Sequence, residues 1–162
     1  MSLRKIFLSI ILVLGIGSCL PPIGLANSHP PPSLNDGGLA ILTTPAGFTI
    51  YAEVADTPMK KAKGLMYRTS LAPDRGMLFI FQDRGHWTFW MKNTKISLDM
   101  IWLDQKGKIV DVQPNIPICE RQDDFCPRYR PRHKAYSVLE LKAGQAKNLE
   151  LKPGVTLKME IP

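Results

Sequence analysis

Short apolar runs separated by glycine and proline dominate the chain after residue 38 and predict a mainly β domain. Residues 39–43 and 48–54 are rich in aliphatic and aromatic side chains and flank Pro45-Ala46-Gly47, as expected for a hairpin. Residues 77–81 form a continuous apolar run, which is typical of a strand covered on both faces. Further strands are predicted at residues 96–103, 108–112, 136–141 and 155–161. Many short strands favour a small sandwich or jelly-roll-like domain, or a partly closed barrel.

The alternation of side chains along the strand at 96–103 predicts one apolar face. It places Ile96, Leu98, Met100 and Trp102 on the same side, because successive strand side chains point to opposite faces.

One short helix is predicted after the second strand. Thr57 suits the N-cap and Pro58 suits the first helical position, and Gly64 either ends the helix or lies within its last turn. The spacing turns Met59, Ala62, Leu65 and Met66 inward and three lysines outward. A second helical turn is expected at residues 144–149. The predicted class is therefore mainly β with one short helix.

The first 26 residues have the pattern of an export signal. Arg4 and Lys5 precede an apolar stretch at 6–16 that is too short to span a bilayer comfortably. Two cleavage sites remain open: before Cys19, which would then be lipidated, and after Ala26. Retention of the segment as an uncleaved anchor is a third possibility. We expect an extracytoplasmic protein, periplasmic or secreted, and tethered to the membrane if Cys19 carries lipid.

A proline-rich segment at 20–38 predicts a disordered tether before a single domain at 39–162. Without Arg4 and Lys5, 19 basic residues face 14 acidic ones. A moderately basic exported protein meets anionic lipid headgroups and wall polymers, so nucleic acid is not expected as a partner.

Five short motifs in this domain resemble the domain of unknown function 192 (DUF192) family. In chain order they are Gly64-Leu65-Met66-Tyr67-Arg68, Gly76-Met77-Leu78-Phe79, Phe89-Trp90-Met91-Lys92-Asn93-Thr94, Leu98-Asp99-Met100-Ile101-Trp102 and Cys126-Pro127-Arg128-Tyr129. The resemblance implies a small, mostly β fold that often follows an export signal. It implies no established activity.

Cys119 and Cys126 are separated by six residues in one loop. In an oxidising compartment so close a pair predicts a disulfide, worth roughly 2.5 kcal/mol by loop-closure entropy. A redox pair or a metal site is the alternative, although neither a CxxC spacing nor a nearby zinc-ligand spacing is present.

The densest basic stretch follows this loop. It contains Arg128, Tyr129, Arg130, Arg132 and Lys134. Arginine forks suit phosphate and carboxylate, so the stretch predicts docking to anionic lipid, acidic glycan or an unknown acidic envelope protein. A solvated loop without a partner is the alternative.

Four residues of the central motifs are candidate ligand-binding residues: Arg68, Trp90, Asn93 and Asp99. Asp99 lies in an apolar strand, where a carboxylate must be paired, hydrogen-bonded or protonated. Arg68 and Lys92 are possible partners. The four residues form either a ligand pocket or a structural polar network.

Soft side chains in the same block raise the possibility of a Cu(I) site. The candidate ligands are Met66, Met77, His86, Met91 and Met100. Methionine also fills cores, which is the alternative. No other cofactor is predicted.

The sequence contains no GxSxG, HExxH, P-loop or dinucleotide-binding motif. Glycoside hydrolysis would need Asp99 and a second acid such as Asp74, Asp83 or Asp111. We therefore expect a binding or interaction module of the cell envelope. A small-ligand or Cu(I)-binding protein is the first alternative, and a hydrolase of envelope polymers is the second.

Overall fold

The computed structural model describes residues 38–121 and 125–161. The predicted export signal at 1–26 and the lipidation candidate Cys19 lie outside the described residues, as does all but the last residue of the predicted tether.

The described residues form nine strands and two short helices. They are β1 (Leu39–Thr43), β2 (Thr49–Ala55), α1 (Pro58–Lys63), β3 (Arg75–Gly85), β4 (Phe89–Trp90), β5 (Leu98–Leu103), β6 (Ile109–Ile116), β7 (Arg128–Tyr129), β8 (Ala135–Lys142), α2 (Gln145–Asn148) and β9 (Lys158–Glu160).

Seven of these strands form one mixed sheet in the order β6-β5-β8-β3-β2-β1-β9. Only β2 and β3 pair in parallel, because residues 56–74, including α1, cross over between them. Strands β4 and β7 pair separately. The predicted mainly β class is confirmed, and within the described residues the sheet is open rather than closed into a barrel.

Both faces of the sheet are covered, and each face has its own apolar cluster. One cluster contains Ile101 and Leu103 of β5 and extends to Ala146 of α2. The other contains Leu98, Met100 and Trp102, with Ile96 packed against it. The alternation predicted for this strand is confirmed, since odd and even positions enter different clusters.

Helix α1 begins where the sequence predicts, and of the two places that the sequence allowed for Gly64 the structure shows the helix end. The Thr57 side chain accepts a hydrogen bond from the backbone N–H of Lys60 at 3.3 Å, and Gly64 is the C-cap. The prediction that Met59 and Ala62 turn inward is wrong: Met59 is 82% exposed, and no residue of α1 is buried. The helix has fewer than two turns, and Leu65, just beyond it, enters the core instead.

The predicted disulfide between Cys119 and Cys126 is present, with 5.9 Å between the Cα atoms. In the part of the chain that the structure describes, no helix has the length and apolar character needed to cross a bilayer.

Candidate functional site

Glu140 lies in the middle of the sheet, on β8 between β3 and β5. It is directly opposite Met77 on one neighbour and Met100 on the other. Leu139 and Leu141 belong to the apolar cluster on the α2 side, so Glu140 faces the second cluster. Glu140 is only 4% exposed to solvent.

The Glu140 carboxyl has no hydrogen-bond or ion-pair partner among the described residues, and its oxygens are not fully sealed from solvent. Burial raises its pKa to about 8, because the charged form loses hydration without gaining a partner. At neutral pH the group is therefore mostly a carboxylic acid, with one donor and a free acceptor oxygen.

A small open cavity of about 40 Å³ lies over Glu140. Lys61, Lys63 and Gly64 line it from the α1 side, and Trp90 lines it from β4. A second cavity of about 250 Å³ shares Lys61, Ala62, Phe79, Phe89 and Trp90 with the first. We call the two together the Glu140 cleft.

Aromatic rings build the wall of the Glu140 cleft. Phe79 meets Phe89 edge to face at 4.8 Å between centroids, and Phe81 stacks on Trp87 at 3.9 Å. Gly64 allows the end of α1 to approach this wall, since a Cβ there would lie 3.2 Å from Phe79 at a φ of +49°. These contacts fix the rings relative to one another, and apolar ring surface faces the cavity.

Cations surround the aromatic wall. The Nζ of Lys61 lies 4.7 Å from the centroid of Phe81. Lys92 Nζ and Arg128 Cζ lie 5.2 and 4.9 Å from the centroid of Trp90. Because β7 pairs with β4, Arg128 of the predicted basic loop stands directly opposite Trp90. The cleft and the basic loop are therefore neighbours.

Comparison with known proteins identifies the family of this chain. The model of DUF192, described as an uncharacterized ACR, matches residues 41–159. The chain belongs to the DUF192 family. The match confirms the resemblance seen in the five motifs and spans nearly the whole β domain.

Two solved structures resemble this DUF192 protein. A protein of Sinorhizobium meliloti 1021, described as a proposed transcription regulator, is 35% identical with a TM-score of 0.65; the alignment covers 75% of this chain and 92% of that one. A protein of unknown function from Novosphingobium aromaticivorans DSM 12444 is 30% identical with a TM-score of 0.65, covering 74% and 83%. No curated protein matches the sequence significantly.

Of the four predicted ligand-binding residues of this DUF192 domain, Trp90 lines the Glu140 cleft. Arg68 instead forms a two-pronged ion pair with Glu53, at 2.5 and 2.6 Å, and this hydrogen bonding raises the pKa of Arg68. Both side chains are partly exposed. Arg68 is thus engaged on the surface rather than aimed at Asp99.

Asn93 and Tyr67 join two of the DUF192 motifs. Both have positive φ, 56° and 65°, and the Tyr67 N–H donates to the Asn93 carbonyl at 2.8 Å. The Asn93 amide also lies 3.9 Å from the Met66 sulfur. Left-handed conformations cost energy in residues other than glycine, so this contact fixes a strained turn beside the cleft.

Asp99 is fully buried and accepts three backbone hydrogen bonds. The donors are the N–H groups of Asn115, Gly144 and Ala146, at 2.7, 3.1 and 2.6 Å. Asp99 does not line the Glu140 cleft. The geometry therefore favours the structural alternative for Asp99.

The predicted basic loop is tied to β6. The Arg132 backbone N–H donates to Asp111 Oδ2 at 2.8 Å, and its guanidinium reaches Oδ1 at 3.0 Å. Burial acts to raise the pKa of Asp111, but these hydrogen bonds and the nearby charge bring it below its usual value. Gln113 donates to the Arg130 carbonyl at 2.8 Å. Arg128 and Arg130 remain exposed, as does Lys134; Tyr129 is half-buried.

The predicted Cu(I) ligands are mostly packed in the core. Met77, Met91 and Met100 are buried in the cluster beside Trp102. His86 Nδ1 lies 3.1 Å from the Pro131 carbonyl and donates to it as the N–H tautomer. In residues 38–121 and 125–161, no group of three or more His, Cys, Asp or Glu side chains could hold a metal.

Glu140 is the site residue that the sequence analysis missed. The sequence did contain an indication of this residue, because an acidic side chain interrupts the apolar run Val138-Leu139-Glu140-Leu141. The same anomaly singled out Asp99, but only the three-dimensional contacts distinguish a satisfied carboxylate from an unsatisfied one.

Proposed function

We propose that this DUF192 protein is an exported binding module of the cell envelope and that the Glu140 cleft is its ligand site. The observation that carries the proposal is the carboxyl of Glu140, which is buried, lacks a partner among the described residues and opens into a cavity. Such a group costs stability, because its desolvation is not offset by a hydrogen bond. A bound molecule would supply the missing partner.

The composition of the cleft supports binding rather than hydrolysis. Among the described residues, Glu140 is the single acidic side chain that lines either cavity. The usual glycoside hydrolysis takes two carboxyl groups that flank the bond to be cleaved. Asp99 and Asp111 are engaged by other hydrogen bonds. Apolar walls with a few placed polar groups are the usual form of a small-ligand site.

Two observations support export. The first 26 residues have a basic start followed by an apolar stretch, and the Cys119–Cys126 disulfide suits an oxidising compartment. A role in transcription is stated of the Sinorhizobium protein, and we do not extend it to this chain, since an export signal would separate the protein from chromosomal DNA.

Native mass spectrometry of the protein purified from its own envelope fraction tests this function. We expect noncovalent mass on the wild-type chain that is released by denaturation. Glu140→Leu should lose that mass, and Lys147→Gln should keep it, because Lys147 lies on α2, which packs on the opposite face of the sheet. Melting temperatures of all samples verify that each variant is folded.

Two results would contradict the proposal. A wild-type chain without bound mass, or the same bound mass on folded Glu140→Leu, would remove the cleft as the ligand site. Recovery of the protein from the cytosol with residues 1–26 intact would remove export and the envelope. The same spectra report an acyl group on Cys19 or cleavage after Ala26.

A further inference from the structure

We propose that the Glu140 cleft recognises an acidic sugar, with a hydroxyl group on Glu140, a ring face on the aromatic wall and the anionic group at Lys61 and Lys63. The inference rests on the proposed function and names the chemical class of the ligand. Each part follows from a different region of the cleft.

The buried end of the cleft selects a hydroxyl group. Glu140 in its neutral form offers an O–H donor and a carbonyl acceptor, and a ligand hydroxyl offers the same pair in return. Thr94, which is 7% exposed, lines this cavity as well. A ligand ammonium would need an ionised Glu140, and three lysines line the same cavity, so a cation is disfavoured there.

The middle of the cleft selects a ring with an apolar face. Phe79, Phe89 and Trp90 line both cavities. The edge-to-face contact of Phe79 and Phe89 fixes the orientation of that wall. A pyranose presents C–H groups on its faces and hydroxyls at its edge, so it can pack on the aromatic wall while it reaches Glu140.

The rim of the cleft selects an anion. Lys61, Lys63 and Lys92 line the small cavity, and Arg128 adds a further cation next to Trp90. Among the described residues, no acidic side chain other than Glu140 lines either cavity, and Lys61 and Lys63 are the cations that we assign to the anionic group of the ligand. A carboxylate or phosphate on the sugar would gain charge-assisted hydrogen bonds from the lysines, and a neutral sugar would not.

Isothermal titration of the purified full-length protein tests the inference at pH 7 with D-glucuronate, D-glucose and 4-hydroxybenzoate. We expect D-glucuronate to bind at least about ten-fold more tightly than D-glucose. That advantage should shrink as salt rises, because the rim lysines are exposed or only half-buried and salt screens their charges. Binding of 4-hydroxybenzoate, which has the hydroxyl and the anion but no pyranose, should be the weakest.

Variants separate the parts of the site. The double variant Lys61→Gln, Lys63→Gln should bring the affinity for D-glucuronate down to that for D-glucose and leave D-glucose unchanged. Glu140→Leu should abolish binding of both sugars, and Glu140→Gln, which retains a donor and an acceptor, should weaken it less. Lys147→Gln with Lys152→Gln, which removes the same two charges from exposed positions outside the cleft, is the charge-matched control and should bind like wild type.

Equal affinity for D-glucose and D-glucuronate would overturn the role of the rim. Tighter binding of 4-hydroxybenzoate would replace the sugar with an aromatic acid. If neither sugar binds but native spectra show mass that depends on Glu140, the ligand class is wrong and the proposed function stands. If no probe binds and no such mass exists, both fail.

Discussion

Asp99 Oδ2 accepts the backbone N–H of Ala146 at 2.6 Å across 47 positions of the chain. This bond ties β5 to the start of α2, and Asp99 Oδ1 extends the link to Asn115 and Gly144. One buried carboxylate thus satisfies three backbone donors that the sheet leaves unpaired. The apolar strand around Asp99 can hold the charge because those donors replace its water.

Asp99→Ala should lower the free energy of unfolding by about 3 to 5 kcal/mol, since hydrogen bonds to charged groups contribute about 1.5 to 3 kcal/mol each and all three donors would remain buried. Urea denaturation measures the change. Asp99→Asn keeps one acceptor oxygen and should lose less. A loss below about 1 kcal/mol for Asp99→Ala would show that the network does not hold α2 in place.

Glu140 should make the free energy of unfolding fall as the pH rises, whereas a paired carboxylate makes it rise. Its pKa is about 8 in the folded state, against an ordinary value of 4.5, so the folded chain keeps a proton that the unfolded chain releases. The contribution is most favourable below pH 4.5 and is lost as the pH rises toward 8, at about 1.4 kcal/mol for each pH unit.

Urea denaturation of wild type and Glu140→Gln at pH 5 and pH 8 checks this dependence. The stability difference, wild type minus variant, should fall by about 3.5 kcal/mol between the two pH values, because glutamine does not ionise. Parallel behaviour of the two proteins would mean that Glu140 has an ordinary pKa and that water reaches its carboxyl.

Most of the fold could be predicted from local pattern. The strand at 96–103 shows why: its alternation assigned Leu98 and Trp102 to one face, and the structure separates them from Ile101 in the same way. Strands β4 and β7 could not be predicted, because each has only two residues and no period to detect. The parallel pairing of β2 and β3 depends on the path that residues 56–74 take between them, and no local sequence pattern predicts that path.

The candidate site was less predictable than the fold. Trp90 was identified from its motif, but Arg68 and Asp99, grouped with it, have separate partners in Glu53 and the backbone. Glu140 is 50 residues beyond Trp90, and their common cavity arises from the order of strands in the sheet. A sequence can show that an acidic residue interrupts an apolar strand. Whether its carboxyl finds a hydrogen-bond partner depends on the three-dimensional structure.

The Cys119–Cys126 disulfide should stabilise the domain by about 2 to 3 kcal/mol, the amount that loop-closure entropy gives for a short loop. The double variant Cys119→Ser, Cys126→Ser should show this loss in urea. Wild type in a reducing agent should match the variant, and the agent should not change the variant further. Equal stability of oxidised wild type and the variant would contradict a structural role for the disulfide.

The exposed arginines of the basic loop should attract anionic surfaces, and Arg132 should contribute least. Arg128 and Arg130 are exposed, while the Arg132 charge is offset by the buried carboxylate of Asp111. Since each basic residue near an anionic membrane adds about 1 kcal/mol, Arg128→Gln with Arg130→Gln should weaken binding to phosphatidylserine vesicles roughly thirty-fold at low salt. Arg132→Gln should change vesicle binding less and should lower the free energy of unfolding instead, because it leaves Asp111 buried with fewer donors.

Vesicle co-sedimentation measures the first effect and urea denaturation the second. The matched control is Lys147→Gln with Lys152→Gln, which removes the same charge from exposed positions outside the basic loop. An equal loss of vesicle binding in this control would assign the attraction to net charge alone. Unchanged binding of the arginine variant at low salt would show that the loop does not dock to anionic lipid, and the strongest remaining role of Arg128 would be its contact with Trp90 at the cleft.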